Sequence, residues 1–234
     1  LYIQAKEIEK RINGRIIINK MDIAIRQQEI LAIIGPNGAG KTTALELLLG
    51  LQTADSGKVH YWSDDYKKHL GVQLQSVPFF PGLSAIENLK LFAAFYKQVI
   101  ATNEALAMLN KCGLRDSAYT EAGKLSGGQQ KRLAIAAALA HQPELLVLDE
   151  PSAALDPRAR QDIHQLIQLL HNEGNTVVFT SHDMDEVQRL AHRIIMVVQG
   201  DIVAQGTPEE LCREHRVASL EHLYLKLSAK EETA

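Results

Sequence analysis

Eight residues, Gly35 to Thr42, read GPNGAGKT and satisfy the spacing G-x-x-x-x-G-K-[ST] without a mismatch. A triphosphate needs many donors and a closely approaching backbone. Gly35, Gly38 and Gly40 let main-chain N–H groups turn toward phosphates with no Cβ in the way, and Pro36, Asn37 and Ala39 complete the loop. A helix starting near Lys41 points its positive end at the same anion. Lys41 supplies a point charge to the β- and γ-phosphates. Thr42 offers a hydroxyl to Mg²⁺, and Thr43 reaches toward the α-phosphate. Alone, this loop says only that the chain binds a nucleoside triphosphate.

Two further groups add to that chemistry. Asp149 and Glu150 follow the apolar run LLVL. Asp149 ends a strand whose carboxylate emerges beside the phosphate loop, where it serves Mg²⁺, usually through water. Glu150, one residue on in an extended chain, faces another way and is positioned to polarise an attacking water as general base. Leu125 to Gln129 read LSGGQ and open an alanine-rich helix. Ser126, Gly127 and Gly128 give its N-terminus a hydroxyl and N–H groups, a second anion site. A plain helix cap is the other reading of that tetrad. One phosphate loop is already complete, so a second anion site needs its own explanation.

The elements that must position these groups alternate between strand and helix. Ile16–Ile25 and Ile30–Ile34 are β-branched strands, the second running straight into the glycine loop. Lys41 to Gly50 is a helix ending at its glycine. Gly57–Trp62 is strand-like. From about residue 77 to 142 the apolar spacing turns helical, in SAIENLKLFAAFY and NEALAMLNKCGL, entered through Pro78, Pro81 and Gly82. LLVLD is a short buried strand, Ala159–His171 a helix, TVVFT a strand and Met184–Ala191 a helix. IIMVV and DIVAQG form a hairpin around Gln199-Gly200. Pro208 to Ala234 is read as helical with a polar end. Strand–loop–helix followed by buried strands alternating with helices argues an α/β fold with a largely parallel sheet.

Composition narrows the class from the other side. The 234 residues suffice for a large core, and 46% apolar with 23% charged residues is ordinary for a globular protein. A net charge of −3 with no long basic run gives no reason to expect nucleic acid as a partner. The longest apolar stretches, such as Ala134–Ala140, are core-sized and far short of the ~18 residues of a membrane span. LYIQAKEIEKR carries no apolar signal region, so the chain is expected in the cytosol. Cys112 and Cys212 lack metal-ligand spacing and are expected as two reduced thiols.

Taken together, GPNGAGKT, LSGGQ and LLVLDE, in that order, resemble the ATPase subunit of an ATP-binding cassette (ABC) transporter over nearly the whole chain. The resemblance implies a P-loop NTPase core at 1–76 and 143–214, with an N-terminal antiparallel β region. It implies an inserted helical subdomain at 77–142 and a short tail at 215–234. It makes His182, in TSHD, the switch histidine that contacts the γ-phosphate and helps hold the water. Gln75, in GVQLQ, resembles the Q-loop glutamine that meets Mg²⁺ or the water. Gln73 competes with it, and the spacing from Gly71 favours Gln75. The second anion site is also explained. Ser126, Gly127, Gly128 and Gln129 of one subunit close over ATP held by the other, in a head-to-tail dimer with two composite sites. Asp156, in SAALDP, lies in the D-loop crossing that interface.

Three departures stand out. Ile12, in KRING, occupies the position where many family members stack an aromatic on adenine, although Tyr2 could supply one. Gln28 stands where a glycine often precedes Glu29. Ala154 replaces the usual D-loop glycine. The implied partners are a second ATPase subunit and integral membrane permeases, which place the chain peripherally on the cytoplasmic face. GVQLQ before an F-rich segment and the C-terminal SLEHLYLKL resemble the subgroup that exports drugs, antibiotics or lipids. Import, and less so a non-transport cassette ATPase, are the alternatives. Phe79, Phe80 and Leu83 are read either as core or as part of a groove for a membrane-subunit helix.

Overall fold

The computed structural model describes residues 1–74 and 79–229. In chain order its strands and helices begin with β1 (Ile3–Ile12), β2 (Arg15–Ile25), β3 (Ile30–Ile34), α1 (Lys41–Leu48) and β4 (Ser56–Tyr61). Then come β5 (Leu70–Gln73), α2 (Ala85–Phe95), α3 (Thr102–Lys111), α4 (Gly127–Leu139), β6 (Leu145–Asp149) and α5 (Pro157–Asn172). The chain closes with β7 (Thr176–Ser181), α6 (Met184–Leu190), β8 (Arg193–Val198), β9 (Asp201–Gly206), α7 (Pro208–His215) and α8 (Leu220–Ala229). These elements divide into two compact units, one of residues 1–64 and 178–234, the other of residues 65–177.

In the first unit, β1 and β2 form an antiparallel hairpin that turns at Asn13-Gly14, both at positive φ (51° and 78°). That is the turn a right-twisted two-strand ribbon needs. β4 pairs antiparallel on the other side of β1. β3 has all five residues buried and pairs in parallel with β8, from Leu31↔Arg193 to Ile34↔Met196. Burial on both faces is what a parallel strand requires, and ILAII supplies it. β9 returns antiparallel on β8, and β7 flanks β3 on its other side. Arg193 and Glu29 make a part-buried two-armed ion pair, 2.7 and 3.0 Å, at the foot of β3 and β8.

In the second unit, β5 and β6 pair in parallel, Leu70↔Leu145 to Gln73↔Leu148. The alanine-rich stretch of α4 buries six successive residues, Leu133 to Ala138. Small side chains let that helix lie close, and Gly71 completes the fit. A Cβ there would stand 2.5 Å from the Ala138 carbonyl oxygen. α2 starts with a capping box, Ser84 N–H donating to the Glu87 carboxylate at 2.7 Å. Phe80, Phe92 and Phe95 interlock, with ring centroids about 6 Å apart, and Phe80 and Phe95 remain exposed. Phe79 and Leu83 are half-buried.

The α/β class, the parallel pairing and the three-stranded antiparallel region agree with the sequence reading. Two details differ. β1 was not foreseen, because its alternation breaks at a bulge: the register shifts between Ala5 and Ile8, with Glu7 at φ 47°. β5 is only four residues and carries too little pattern. The C-terminal stretch is helical as expected, as α7 and α8, with Arg216 turning left-handed at φ 53° to end α7. Both cysteines are free. Burial pushes the Cys112 thiol up to about 12, so that side chain is an inert part of the core.

Candidate functional site

The phosphate loop lies between β3 and α1 in the first unit. Its shape depends on contacts that admit no side chain. A Cβ on Gly35 would stand 2.0 Å from the Val197 carbonyl oxygen, and one on Gly40 would stand 2.8 Å from that of Ile17. Gly38 and Gly40 also adopt φ of 80° and 103°, which favour glycine. The loop is tied to the β8–β9 turn by the Gly200 N–H, which donates to the Ala39 carbonyl at 3.0 Å. Lys41 is 7% exposed, and its ammonium donates to the carbonyls of Gly35 (2.8 Å) and Pro36 (3.0 Å). The charge is thereby held inside the loop that it serves. Thr42 is exposed and Thr43 half-buried on the first turn of α1. Asn37 and Gly38 are exposed at the tip, while Ala39 is buried.

His182 follows β7, the strand beside β3, and is exposed. Its turn is fixed by neighbours. Ser181 donates its hydroxyl to buried Glu186 at 2.6 Å, and the same oxygen accepts from Asp183 N–H at 3.0 Å. Asp183 caps α6 by accepting from Asp185 and Glu186 N–H at 3.0 and 3.1 Å. This network was not read from the sequence, although the S-x-D-x-x-E spacing carries it.

In the second unit, β6 is buried throughout and ends at Asp149, which is 4% exposed. Glu150 is half-buried and sits at φ 48°, a left-handed conformation that a residue with a Cβ seldom adopts. Glu150 therefore turns the chain off the strand end and is not in the extended conformation expected from the sequence. Gln73 is buried in β5, its amide donating to the Asp149 carbonyl at 3.4 Å. Gln75 lies outside the described residues. Lys131, from α4, donates to the Glu150 main-chain carbonyl at 3.2 Å. Burial pushes its ammonium below the usual lysine range, against the opposing pull of the Glu150 and Asp149 carboxylates. Lys131 was not singled out in the sequence, and nothing there marks it.

The LSGGQ segment makes a capped helix start. Ser126 N–H donates to the Gln129 side chain at 2.9 Å, and Gln129 N–H donates to the Ser126 hydroxyl oxygen at 3.3 Å. Gln129 also donates to the Ser117 hydroxyl at 3.0 Å. Ser126 and Gly127 are exposed, while Gly128 is buried where a Cβ would stand 2.8 Å from that of Ala159. Gly128 is therefore a packing glycine between α4 and α5. Asp156 caps α5, accepting from Arg158 and Ala159 N–H at 2.9 and 3.0 Å.

The departures also have places. Gln28 and Ala154, each standing where a glycine was expected, both turn left-handed, at φ 55° and 61°. Ile12 ends β1, opposite Arg15, and is 40% exposed. Tyr2 is buried edge-on to Trp62, ring centroids 4.6 Å apart.

Comparison with known proteins completes this picture. Residues 18–153 match the family described as ABC transporter. The chain is 34% identical over 219 residues to the linearmycin resistance ATP-binding protein LnrL of Bacillus subtilis (strain 168), covering 90% of this chain and 70% of that one. It is also 34% identical over 220 residues to the Nod factor export ATP-binding protein I of Burkholderia thailandensis, covering 89% and 72%. Among solved structures it resembles an ATP-binding cassette captured as a dimer in a post-hydrolysis state with ADP and Pi. That likeness has a TM-score of 0.78 and 29% identity, and it covers 88% of this chain and 98% of that one. On these matches the chain belongs to the ABC transporter family, among its ATP-binding subunits.

Proposed function

We propose that the chain hydrolyses ATP with Mg²⁺ and that this drives export through separate membrane subunits. The observation that carries hydrolysis is the strand end at Asp149-Glu150, where a buried carboxylate closes the strand and a half-buried one follows on a left-handed turn. Glu150 acts as general base on the attacking water, and His182 holds that water. Gly35 to Thr43 cradle the phosphates, with Lys41 neutralising the β- and γ-oxygens. Asp149 and the Thr42 hydroxyl are hard oxygen donors suited to Mg²⁺, which keeps several waters and binds through one or two carboxylates plus phosphate. Held by Asp149 and Thr42, Mg²⁺ would supply charge neutralisation for the phosphoryl group.

Two copies associate head to tail, Ser126, Gly127 and Gly128 of one facing the nucleotide of the other, with Asp156 at the shared face. Support comes from the dimeric relative with ADP and Pi. Export is favoured by the relative named for Nod factor export. No helix among the described residues is long and apolar enough to cross a membrane. The membrane path is accordingly assigned to permease subunits, with this chain peripheral on the cytoplasmic side.

Glu150→Gln tests the core of this reading. The amide cannot accept the proton, so turnover should fall by about 10²–10⁴ while ATP binding persists. ATP-dependent dimers should then accumulate and elute early on size exclusion. Turnover within twofold of wild type would remove Glu150 from the role of base.

A further inference from the structure

Three successive side chains at the start of α4 reach three different places. Gln130 donates to the Ala122 and Leu125 carbonyls at 3.3 and 3.2 Å, tying the helix to the segment before LSGGQ. Arg132 pairs with Asp162 of α5 at 3.1 Å. Lys131, between them, donates to the Glu150 carbonyl at 3.2 Å. That carbonyl also accepts from Ala153 N–H within its own turn at 3.3 Å. Glu150 holds a backbone conformation that its side chain disfavours, and such a conformation persists only where surrounding contacts over-determine it. The turn's own bond is long. The ammonium contributes a charge-assisted bond from a half-buried position, where water competes less.

We propose that Lys131 is a positioning residue for hydrolysis: it fixes the Glu150 main chain from which the carboxylate projects, and ties that geometry to the seating of α4. The inference rests on the reading of Glu150 as general base. The chemistry is simple. The Glu150 carbonyl accepts, the Lys131 ammonium donates, and no proton moves. A movement of the N-terminal turn of α4, which carries Ser126 and Gly127, therefore reaches the carboxylate of the same chain through one side chain. A misplacement of about 1 Å in a reacting group can cost about 10²-fold in rate.

The test is a set of steady-state and single-turnover ATP hydrolysis measurements on the whole chain. Lys131→Met keeps the apolar stem and removes the donor. It should lower kcat by about tenfold or more, with KM and the ATP dissociation constant within about twofold of wild type. Lys131→Arg restores a cationic donor and should recover kcat to within about threefold of wild type. In a Glu150→Gln background, Lys131→Met should cause no further loss in single-turnover rate, because the group it positions is already disabled. A kcat for Lys131→Met within twofold of wild type would overturn the proposal, and so would an equal loss in both backgrounds. Should the Met variant fold poorly, Lys131→Leu, which also lacks a donor, replaces it in the same cycle and is judged by the same outcomes. Failure of the underlying reading looks different: Glu150→Gln alone would then turn over like wild type.

Discussion

Two helices begin at glycine-rich segments, and their N-termini are built differently. α1 starts from Gly40, a left-handed residue that offers no side-chain acceptor. α4 starts from Ser126, whose hydroxyl oxygen accepts from Gln129 N–H while the Gln129 side chain closes the box. A start with no side-chain cap suits a site where an anion can meet main-chain N–H groups. A capped start has already met part of its own need and is stable by itself. The first fits the proposed role of holding a nucleotide's phosphates. The second fits the proposed role of a surface presented to the other subunit.

The largest effect should come at the uncapped end. Lys41→Met removes the ammonium that the Gly35 and Pro36 carbonyls hold in the loop. Turnover should fall by about 10²–10³, with weakened ATP binding, measured by hydrolysis and calorimetric titration. ATP affinity equal to wild type would erase the contrast between the two ends.

A smaller effect tests how far the phosphates carry binding at that end. Ile12 is exposed and has no π face, and Tyr2 is committed to Trp62. ATP and GTP should accordingly bind with similar affinity. Ile12→Tyr should tighten ATP by up to about 1–3 kcal/mol, with turnover at saturation little changed. Strong ATP preference in the wild type, unimproved by the tyrosine, would mean that another group holds the base.

The smallest effect belongs to the capped end. Ser126→Ala removes the acceptor for Gln129 N–H and should cost about 1 kcal/mol of stability, a fall of about 2–4 °C in Tm. Nucleotide binding by the isolated monomer should not change. A Tm equal to wild type would show that the cap contributes little, and the comparison would lose one side.

How much of this was written in the sequence depends on what kind of force fixes each part. The run from Ile30 through GPNGAGKT to α1 was legible nearly residue by residue. A buried parallel strand needs an unbroken apolar run, and the loop needs glycines where Val197 and Ile17 carbonyls crowd it. The strand ending at Asp149 was legible for the same reason. Gln28 and Ala154 were visible as departures from a glycine pattern, and both turned out left-handed. β1 was hidden by its bulge, which breaks the two-residue period at Glu7. Lys131 was invisible because its partner is a main-chain oxygen nineteen positions away, and no side-chain pattern records such a contact. Gln73 is similar: its burial and its bond to the Asp149 carbonyl follow from strand pairing, not from its own neighbours.

The Gly200 amide bonded to the Ala39 carbonyl gives the phosphate loop a built-in gauge. Residue 200 sits at the tip of the β8–β9 hairpin, and its backbone lies against the Ile17 carbonyl that also bounds Gly40. Its proton therefore registers any rearrangement of the loop without belonging to it. In a nuclear magnetic resonance spectrum, the chemical shift and deuterium exchange of that one glycine would follow loop opening and closing from a position where no label is needed.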